Sequence, residues 1–423
     1  MVPLASPPSA TVAVPGSKSL TNRALVAAAL ADGTSTLDGV LFADDTEAML
    51  GGLRALGFDL AVDRAATRVT VVGQAGRVPP GPATVDVRLS GTTARFLAPV
   101  LALGRGDYLL DAGAPFRARP MGPTLDALRE LGATVTDLGQ PGHLPVRVSA
   151  DGLAGGHLAV PGDVSSQFLS GLLLTAPATR DGLEITVTTP LVSVPYVELT
   201  VDVLAAFGVA VERTVAGGFR VPPSGYRATR YRVEPDASAA SYLLAAAAIT
   251  GGRVRVPGLG DGARQGDAGF ADVLAAMGAE VTRDADGVEV RGTGRLRGIE
   301  VDLADLSDTA QTLAAVAVFA EGPTRVTGIG FIRRKETDRI AAVVTELRRC
   351  GIEAHEEDDG FVVHPGAPRP TVVATYDDHR MAMSFALLGL VAPGIEIADP
   401  GCVAKTFPTY FDVLDELRTE APA

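Results

Sequence analysis

The hydrophobic and polar positions of this chain repeat one pattern, an amphipathic helix that ends in leucine, two residues of any type, an apolar residue and glycine. The pattern stands at residues 53–57, 128–132, 204–208, 274–278 and 347–351, and residues 414–417 are a sixth copy without the glycine. A glycine at this position predicts a left-handed residue that ends the helix. A short strand is predicted after each of these glycines.

Ahead of each copy stands a second helical segment that is apolar on nearly every side. A helix of that composition is buried all round, whereas the helices that end in glycine carry charge on one side. The six apolar segments are residues 20–30, 92–103, 166–176, 237–249, 309–319 and 380–391. The pattern predicts that each unit consists of a strand, a buried helix, a strand, a half-exposed helix and a strand. Six such units of roughly 70 residues fill the chain, which predicts an α/β fold with a supersecondary repeat.

Polar residues cluster immediately before each buried helix. Serine, threonine and aspartate there can satisfy the free N–H groups of a first turn, but capping does not account for the cations, the glutamine or the histidine. If equivalent helices pack alike, their N-termini point the same way, and we expect the two halves of the chain to face a cleft rich in donors. The clusters are Lys18, Ser19 and Arg23; Ser90, Gly91, Thr92, Thr93 and Arg95; Asp163, Ser165, Ser166 and Gln167; Glu234, Asp236 and Ser238; Ser307, Asp308 and Thr309; Asp377, Asp378, His379 and Arg380.

Lys18 and Arg23 lie in the first turns of the first buried helix, and Ser17 or Ser19 can cap it. The helix dipole disfavours cations at this end, so a bound anion would explain them. Two solvated basic side chains at a helix start are an equally good interpretation of this stretch alone.

Other charged or polar groups lie outside these clusters. Arg119 belongs to a loop that can simply be surface, and Ser193 and Tyr196 precede a helix that either can cap. Residues 333–339 form the densest charge run. We predict that one helix carries this run, and a solvated face is its usual explanation.

On that helix Lys335 and Arg339, four residues apart, would share a face with Glu336 beside them. Lys405 is a single lysine in an otherwise uncharged loop and therefore calls for an explanation.

Composition narrows the function classes. The chain has 423 residues, enough for two or three domains, and its net charge of −13 argues against nucleic acid or an anionic membrane as partner. No apolar run is long enough to span a bilayer, and residues 1–8 do not resemble a secretory signal. Two cysteines indicate a reducing cytoplasm. Metal-ligand spacings are missing, and of the five histidines only His379 belongs to a cluster of polar residues.

Eight longer motifs contain most of the polar residues named above and are spread over nearly the whole chain. They are PGSKSLTNRA (15–24), SGTTARFL (90–97), RARPM (117–121), GDVSSQFLSGLLL (162–174), EPDASAASYLLAAAA (234–248), RKETDRI (334–340), DDHRMAMSFAL (377–387) and KTFPTYF (405–411). In order and spacing they resemble the enolpyruvyl transferase family, in particular its branch that acts on shikimate 3-phosphate.

The resemblance implies an α/β fold of two domains, each with three βαβαββ units, the inside-out α/β barrel arrangement of the family. We expect residues 16–232 to form the first lobe, and residues 1–15 with 233–423 to form the second. The chain would cross between lobes near Pro15 and Val233. The resemblance also implies closure of the lobes on binding, because each carries part of the site.

The implied reaction transfers the enolpyruvyl group of phosphoenolpyruvate to the 5-hydroxyl of shikimate 3-phosphate and releases phosphate. Both substrates are polyanions, so cations must cluster locally in this acidic chain. The hydroxyl must lose a proton while C3 of the enol gains one, which calls for a base and an acid on either side of the carbon. No cofactor or metal is implied, and we expect a monomer.

The resemblance assigns roles to individual residues. Asp308 would take the hydroxyl proton, Glu336 would act on the C3 methylene, and Lys18 is a further candidate for proton transfer. The phosphoenolpyruvate set is Lys18, Gly91, Arg119, Gln167, Arg339, His379, Arg380 and Lys405. The shikimate 3-phosphate set is Lys18, Ser19, Arg23, Ser165, Ser166, Gln167, Ser193, Tyr196, Asp308 and Lys335. Leu89, Phe96 and Phe331 depart from residues common in the family.

Two other functions compete with this interpretation. The sister enzyme transfers enolpyruvyl to UDP-N-acetylglucosamine, and its usual form carries a reactive cysteine in the loop that corresponds to residues 113–119, where this chain has none. A six-unit ring that encircles a polymer would need a broad basic face, which a net charge of −13 does not favour.

Overall fold

The computed structural model describes residues 1–215 and 217–419. The helices follow the predicted repeat, with a buried and a half-exposed helix alternating along the chain. They are α1 (Lys18–Leu30), α2 (Asp44–Ala55), α3 (Gly91–Ala102), α4 (Ala114–Arg117), α5 (Gly122–Glu130), α6 (Ser166–Thr175), α7 (Val194–Ala206), α8 (Ala237–Thr250), α9 (Phe270–Met277), α10 (Ala310–Ala317), α11 (Arg339–Arg349), α12 (His379–Leu388) and α13 (Tyr410–Thr419). Short 3₁₀ helices lie at Ala176–Ala178, Gly266–Gly269, Ser307–Thr309, Gly330–Arg334 and Pro400–Lys405.

The strands are short and alternate with these helices. They are β1 (Ser9–Thr11), β2 (Ala31–Asp38), β3 (Asp59–Asp63), β4 (Arg68–Gln74), β5 (Ala83–Asp86), β6 (Arg105–Asp111), β7 (Thr134–Asp137), β8 (Val146–Asp151), β9 (Gly156–Val160), β10 (Leu183–Val187), β11 (Glu212–Arg213), β12 (Phe219–Val221), β13 (Tyr226–Arg227) and β14 (Arg230–Arg232). They continue with β15 (Arg253–Pro257), β16 (Glu280–Arg283), β17 (Gly287–Arg291), β18 (Leu296–Arg297), β19 (Glu300–Asp302), β20 (Ala320–Glu321), β21 (Thr324–Thr327), β22 (Ala354–Glu357), β23 (Gly360–Val363), β24 (Thr371–Val373) and β25 (Ile395–Ile397).

The chain divides by its own contacts into two compact units. Unit 2 is the continuous segment Gly16–Val233, and unit 1 consists of Met1–Pro15 and the chain from Glu234 onward. Each unit has its own hydrophobic core. The backbone N–H of Asp236 donates to the carbonyl of Pro15 (2.8 Å), so the two ends of unit 1 that flank unit 2 lie side by side.

Five of the six repeats build the same mixed sheet. In the second repeat β5 pairs parallel with β6, β6 pairs antiparallel with β8, and β8 pairs antiparallel with β7. The same order recurs as β14-β2-β4-β3, β9-β10-β12-β11, β1-β15-β17-β16 and β19-β21-β23-β22. In the sixth repeat β24 pairs parallel with β25, and the described chain ends with α13.

Segments remote in sequence complete the first sheet of each unit. Arg230–Arg232, at the end of unit 2, pairs with β2 at its beginning. Ser9–Thr11 pairs in parallel with β15 in unit 1. Each unit therefore completes this sheet with a strand of its own, although in unit 1 that strand, β1, precedes the whole of unit 2 in the chain.

Local sequence signals set the helix ends. The glycines at 57, 132, 208, 278 and 351 all have positive φ, between 80° and 109°, which confirms the predicted left-handed ends. Ser17 caps α1 by accepting from the N–H of Leu20, and Asp378 caps α12 by accepting from that of Arg380. Ser90, Ser165 and Asp236 cap α3, α6 and α8 in the same way.

The three buried helices of each unit contact one another, α1 with α3 and α6 in unit 2, and α8 with α10 and α12 in unit 1. Small residues permit this close packing. A Cβ on Gly171 of α6 would lie 2.3 Å from the carbonyl oxygen of Arg95 on α3. This approach fixes the starts of α3 and α6 relative to each other.

The prediction that one helix carries residues 333–339 is wrong. A 3₁₀ helix ends at Arg334, and α11 begins only at Arg339 because Asp338 caps it, accepting from the N–H of Ala341 at 3.0 Å. Lys335 and Glu336 therefore lie between two helices rather than on the face of one. Within the described residues, no helix has both the length and the hydrophobicity that crossing a bilayer requires.

Candidate functional site

In unit 2 the candidate groups meet at the N-termini of α1, α3, α6 and α7. The Lys18 Nζ at the start of α1 lies 3.3 Å from the Asp45 carboxylate. The Thr93 hydroxyl, which has one proton to donate, lies 2.8 Å from the hydroxyl of the Ser90 cap and 3.2 Å from the Asp45 carbonyl. The side chain of Lys18 is thereby linked to the start of α3.

Arg23 is buried and ties α1 to α6 and α7. Its guanidinium donates to the Thr200 hydroxyl (2.8 Å), the Ser170 hydroxyl (3.3 Å) and the carbonyls of Ser19 (2.9 Å) and Tyr196 (2.8 Å). These bonds use four of the five N–H groups that a guanidinium carries, so one remains for a ligand. Burial lowers the pKa of Arg23 to about 10, which still leaves it charged at neutral pH.

Two arginines converge on Gly91, the first residue of α3. A Cβ there would lie 2.7 Å from Nη1 of Arg95 and 3.3 Å from Nη2 of Arg119, so a side chain at this position would push both guanidinium groups away from the start of α3. Arg95 Nη1 also donates to Oε1 of Gln167 (2.8 Å), which orients this amide at the start of α6. Helix N-terminus and paired guanidinium groups together form an anion-binding arrangement.

The remaining unit 2 candidates lie at the starts of α6 and α7. Ser165 caps α6 by accepting from the N–H of Gln167 (3.3 Å), and Ser166 is buried beside it. Ser193 precedes α7 with a φ of 53°, a left-handed conformation that a non-glycine residue adopts at a cost. Tyr196 follows in the first turn, where its carbonyl receives Arg23.

In unit 1 the centre of the candidate site is Asp308, which contacts three cations. Lys335 Nζ lies 2.5 Å from Oδ1, Arg339 Nη1 lies 3.2 Å from the same oxygen, and Arg380 Nη2 lies 2.6 Å from Oδ2. Arg380 also donates to the backbone carbonyl of Asp308 (2.9 Å). The carboxylate is thus held from both sides in front of α10.

Arg339, itself almost fully buried, joins Asp308 to two further carboxylates. Its Nε donates to Asp378 Oδ2 (2.7 Å) and its Nη2 to Glu336 Oε2 (2.8 Å). Lys405 Nζ lies 3.9 Å from the other oxygen of Glu336. Two of the cations assigned to phosphoenolpyruvate, Arg339 and Lys405, therefore share the Glu336 carboxylate, which is the group assigned to the C3 methylene.

His379 and Arg380 open helix α12. His379 is buried, with its Nδ1 3.6 Å from the carboxylate of Asp378. The α12 cap thus contacts both His379 and Arg339, and the two residues before it, Tyr376 and Asp377, have a φ of 55° each. Left-handed backbone at non-glycine residues concentrates at functional sites, and here it precedes α12 as it precedes α7.

The cations dominate the electrostatics of the Asp308 carboxylate. Burial by itself raises the pKa of Asp308, but the charges of Arg380, Lys335 and Arg339 outweigh burial and hold it well below the ordinary value. Burial, together with the two arginines, lowers the pKa of Lys335 against the opposing effect of Asp308. Asp308 is therefore ionised, and it is a weak base while all three cations contact it.

The two sets of residues differ in chemical character. In unit 2 the cations Lys18, Arg23, Arg95 and Arg119 lie near helix N-termini, with the Asp45 carboxylate at Lys18. In unit 1 the cations Lys335, Arg339, Arg380 and Lys405 are interleaved with the carboxylates of Asp308, Glu336 and Asp378. Cations at helix N-termini suit a phosphorylated ligand, whereas unit 1 combines cations with acid–base groups.

Sequence reasoning missed residues whose role depends on contacts. Asp45 and Asp378 contact Lys18 and Arg339, and Arg95 orients Gln167, yet the resemblance assigns no role to any of the three. Two of the family departures also contact site cations. The ring of Phe96 lies 5.2 Å from the Arg23 guanidinium and that of Phe331 lies 5.5 Å from Lys335 Nζ. Leu89 is exposed.

Comparison with solved structures identifies the class of protein. The enolpyruvyl transferase NikO from Streptomyces tendae shares the fold, with a TM-score of 0.75 over 98% of this chain and 96% of that one at 22% identity. An EPSP synthase from Acinetobacter baumannii matches with a TM-score of 0.84 and 27% identity over 99% of this chain and 97% of that one. The predicted α/β fold class is confirmed: the chain has the fold of an enolpyruvyl transferase.

Sequence comparison then gives the particular family. The profile of EPSP synthase (3-phosphoshikimate 1-carboxyvinyltransferase) matches residues 5–414. A 3-phosphoshikimate 1-carboxyvinyltransferase of Nostoc punctiforme is 46% identical over 406 residues, which cover 96% of this chain and 95% of the relative. The chain belongs to the EPSP synthase family.

Proposed function

We propose that this chain transfers the enolpyruvyl group of phosphoenolpyruvate to the 5-hydroxyl of shikimate 3-phosphate and releases inorganic phosphate. Membership of the family and the cluster around Asp308 support the proposal together. The cluster carries it, because an acid–base pair surrounded by cations is what this reaction needs and what a purely binding protein does not.

The unit 2 groups are proposed to hold the phosphorylated acceptor. Lys18, Ser19, Ser165, Ser166, Gln167, Ser193 and Tyr196 supply donors at helix N-termini, and Arg23 supplies one further N–H. The cations of this unit can compensate a phosphate and a carboxylate, and a bound phosphate would compete with the Asp45 carboxylate for Lys18. Gly91 and Arg119 are proposed to contact phosphoenolpyruvate.

The unit 1 groups are proposed to donate and accept the protons that the reaction moves. Asp308 takes the proton of the attacking hydroxyl, whose oxygen bonds to C2 of phosphoenolpyruvate while the carboxyl group of Glu336 donates a proton to C3, which becomes a methyl group. The tetrahedral intermediate then loses phosphate, which leaves with the proton held by Asp308, and Glu336 takes a proton back from the methyl group to restore the double bond. Lys335 contacts the acceptor, Arg339, His379, Arg380 and Lys405 surround phosphoenolpyruvate, and Lys18 is a second candidate for a proton donor.

Substrate charge is proposed to activate the base. While Lys335, Arg339 and Arg380 all contact Asp308, its carboxylate binds protons weakly. The phosphate and carboxylate groups of the substrates compete for the same cations, so their binding withdraws positive charge from Asp308 and raises its pKa towards that of a useful base.

An assay of phosphate release with alternative acceptors tests the proposal. With phosphoenolpyruvate present, phosphate should appear with shikimate 3-phosphate and not with UDP-N-acetylglucosamine. The cysteines agree with this choice. Cys350 is buried and burial raises the pKa of Cys402 to about 12, so neither is a reactive thiol of the kind that the sister enzyme carries. Turnover with the nucleotide sugar alone would contradict the proposal.

Because the proposed groups belong to two separately packed units, we propose that ligand binding draws the units together. Solution scattering should show a smaller radius of gyration with saturating shikimate 3-phosphate than without it. Shikimate, which lacks the phosphate, serves as the matched control and should leave the radius unchanged. An unchanged radius with the phosphorylated ligand would contradict closure.

We further propose that the protein works as a monomer in the cytoplasm. Both cysteines are free thiols, which suits a reducing compartment. The exposed large hydrophobic residues are scattered along the sequence rather than grouped in one stretch. Light scattering coupled to size exclusion should give the 43.4 kDa of a single chain, and a dimer mass would contradict the monomer.

A further inference from the structure

A second cluster of chemically capable side chains lies in unit 1 on the hairpin formed by β22 and β23. Glu353, His355 and His364 bring one ligand atom each to within 4.8 Å of one another. His355 and His364 belong to none of the polar clusters that precede the buried helices, and the fold brings them together with Glu353. Nothing in the proposed reaction uses these residues.

Strand geometry explains why the three side chains meet. Glu353 comes immediately before β22 and His355 lies two positions further on, within it, so in this extended stretch both side chains point to the same face of the sheet. His364 lies opposite Glu353, because its backbone N–H donates to the Glu353 carbonyl (2.9 Å). Directly opposed residues of an antiparallel pair share a face, so all three side chains share one surface.

The distances are close to those of a metal site. His355 Nε2 lies 3.1 Å from Glu353 Oε1, and His364 Nε2 lies 4.0 Å from the same oxygen. Around a tetrahedral zinc ion with bonds of about 2.0–2.1 Å, ligand atoms are roughly 3.3 Å apart. All three side chains are more than one third exposed, so small rotations about their side-chain bonds suffice to reach that spacing.

The ligand set selects the class of ion. Two imidazoles and one carboxylate suit zinc, copper or nickel, whereas magnesium and calcium prefer six or more oxygen ligands. Three protein ligands at an exposed position leave the remaining coordination sites to water. We propose that Glu353, His355 and His364 form a binding site for a divalent transition metal of the zinc class, which would join the edge of β22 to the end of β23.

Calorimetric titration of the metal-free, untagged full-length chain with zinc chloride tests the proposal. We expect one saturable site with a dissociation constant in the micromolar range, a higher midpoint of thermal unfolding with zinc, and no binding of magnesium. His355→Ala and His364→Ala should each weaken zinc binding at least tenfold. His157→Ala is the matched control, since His157 is likewise an exposed strand histidine but lies in unit 2, and it should bind zinc as the parent does.

Copper supplies a readout that does not depend on stability. Electron paramagnetic resonance of the copper-loaded parent should show hyperfine coupling to two nitrogens, and each histidine variant should lose one of them. Equal unfolding midpoints of parent and variants without metal would show that the variants fold. Absence of saturable zinc binding below 1 mM, or unchanged binding by the double variant, would overturn the proposal.

Discussion

Arg339 shows how one side chain organises the acid–base groups of unit 1. It contacts Asp308, Glu336 and Asp378 at once, and their charges, outweighing burial, raise its pKa above the ordinary value. Loss of the three carboxylates would leave the buried Arg339 unpaired and strongly destabilise the fold, and loss of Arg339 would do the same to the carboxylates. The positions of Asp308, the proposed base, and of Glu336, proposed to act on the C3 methylene, therefore depend on each other through Arg339.

Removing either proposed acid–base group should abolish most of the turnover. We expect Asp308→Ala and Glu336→Gln each to lower kcat about 10²–10⁴-fold while shikimate 3-phosphate still binds, because proton transfer contributes on that order. Phosphate release and calorimetric binding measure the two effects separately. Asp305→Ala removes an exposed carboxylate three residues away and should keep the parent rate. Near-normal turnover in both site variants would refute the roles given to them.

The raised pKa of Asp267 can be tested through the pH dependence of the free energy of unfolding. Burial, and then the charge of Asp308, raise its pKa to about 6 from 3.8, while its carboxylate accepts from the hydroxyl of Ser238. The pKa of Asp267 is higher in the folded protein than in the unfolded chain, so protonation of Asp267 stabilises the fold. This stabilisation is complete below about pH 4 and is lost as the pH rises through 6.

We therefore expect Asp267→Asn to match the parent in stability near pH 4. At pH 7.5 it should be more stable than the parent by about 2–3 kcal/mol, since it cannot ionise. Urea unfolding at several pH values measures the difference. Asp272→Asn, at an exposed ion pair with Arg283, should change stability by less than about 1 kcal/mol at every pH. A pH-independent gap for Asp267→Asn would contradict the argument.

At the scale of elements, the N-termini of the buried helices carry the candidate groups, so helix packing determines the site. The approach of α6 to α3 at Gly171 brings Gln167 within reach of Arg95. The capping residues that end or begin these helices are local features. The bond between Arg95 and Gln167 is not, because it joins residues from two different repeats.

Gly171→Ala should separate α3 from α6. Its new Cβ would stand 2.3 Å from the Arg95 carbonyl, so we expect a loss of about 1–3 kcal/mol of stability and a weaker acceptor site. Gly51→Ala is the matched control, because it lies in α2 with no neighbour within 4 Å of the added Cβ. That variant should gain about 0.5–1 kcal/mol from helix propensity. Thermal unfolding compares them, and similar behaviour of the two variants would contradict the close contact.

The sequence anticipated most of the elements because their signals are local. Hydrophobic periodicity located the buried and half-exposed helices, and the glycines of the repeat ended five of them as predicted. The run at 333–339 was misjudged because Asp338 had two possible functions, a charge on a helix face or the cap of the next helix. In the folded chain Asp338 is the cap of α11, and this depends on the tertiary structure around it.

At the scale of the whole molecule, the continuity of unit 2 has a direct consequence. Gly16–Val233 contains β13 and β14, the two strands that pair in parallel with β2, and it has a hydrophobic core of its own. We expect a fragment of residues 16–233 to fold alone and to unfold cooperatively on heating. Circular dichroism measures this.

A fragment that begins at residue 40 would lack α1 and β2 and should remain unfolded, which makes it the control. A non-cooperative transition of the longer fragment would contradict the independence of unit 2.

The sequence by itself determined the repeat, the helix ends and the family, because hydrophobic period, capping and motif spacing are properties of neighbouring residues. Tertiary structure alone decided that Asp45 pairs with Lys18, that three cations suppress the basicity of Asp308, and that His355 and His364 meet beside Glu353. Those outcomes depend on distances between residues far apart in the chain, and both ion pairing and pKa values change steeply with distance and burial.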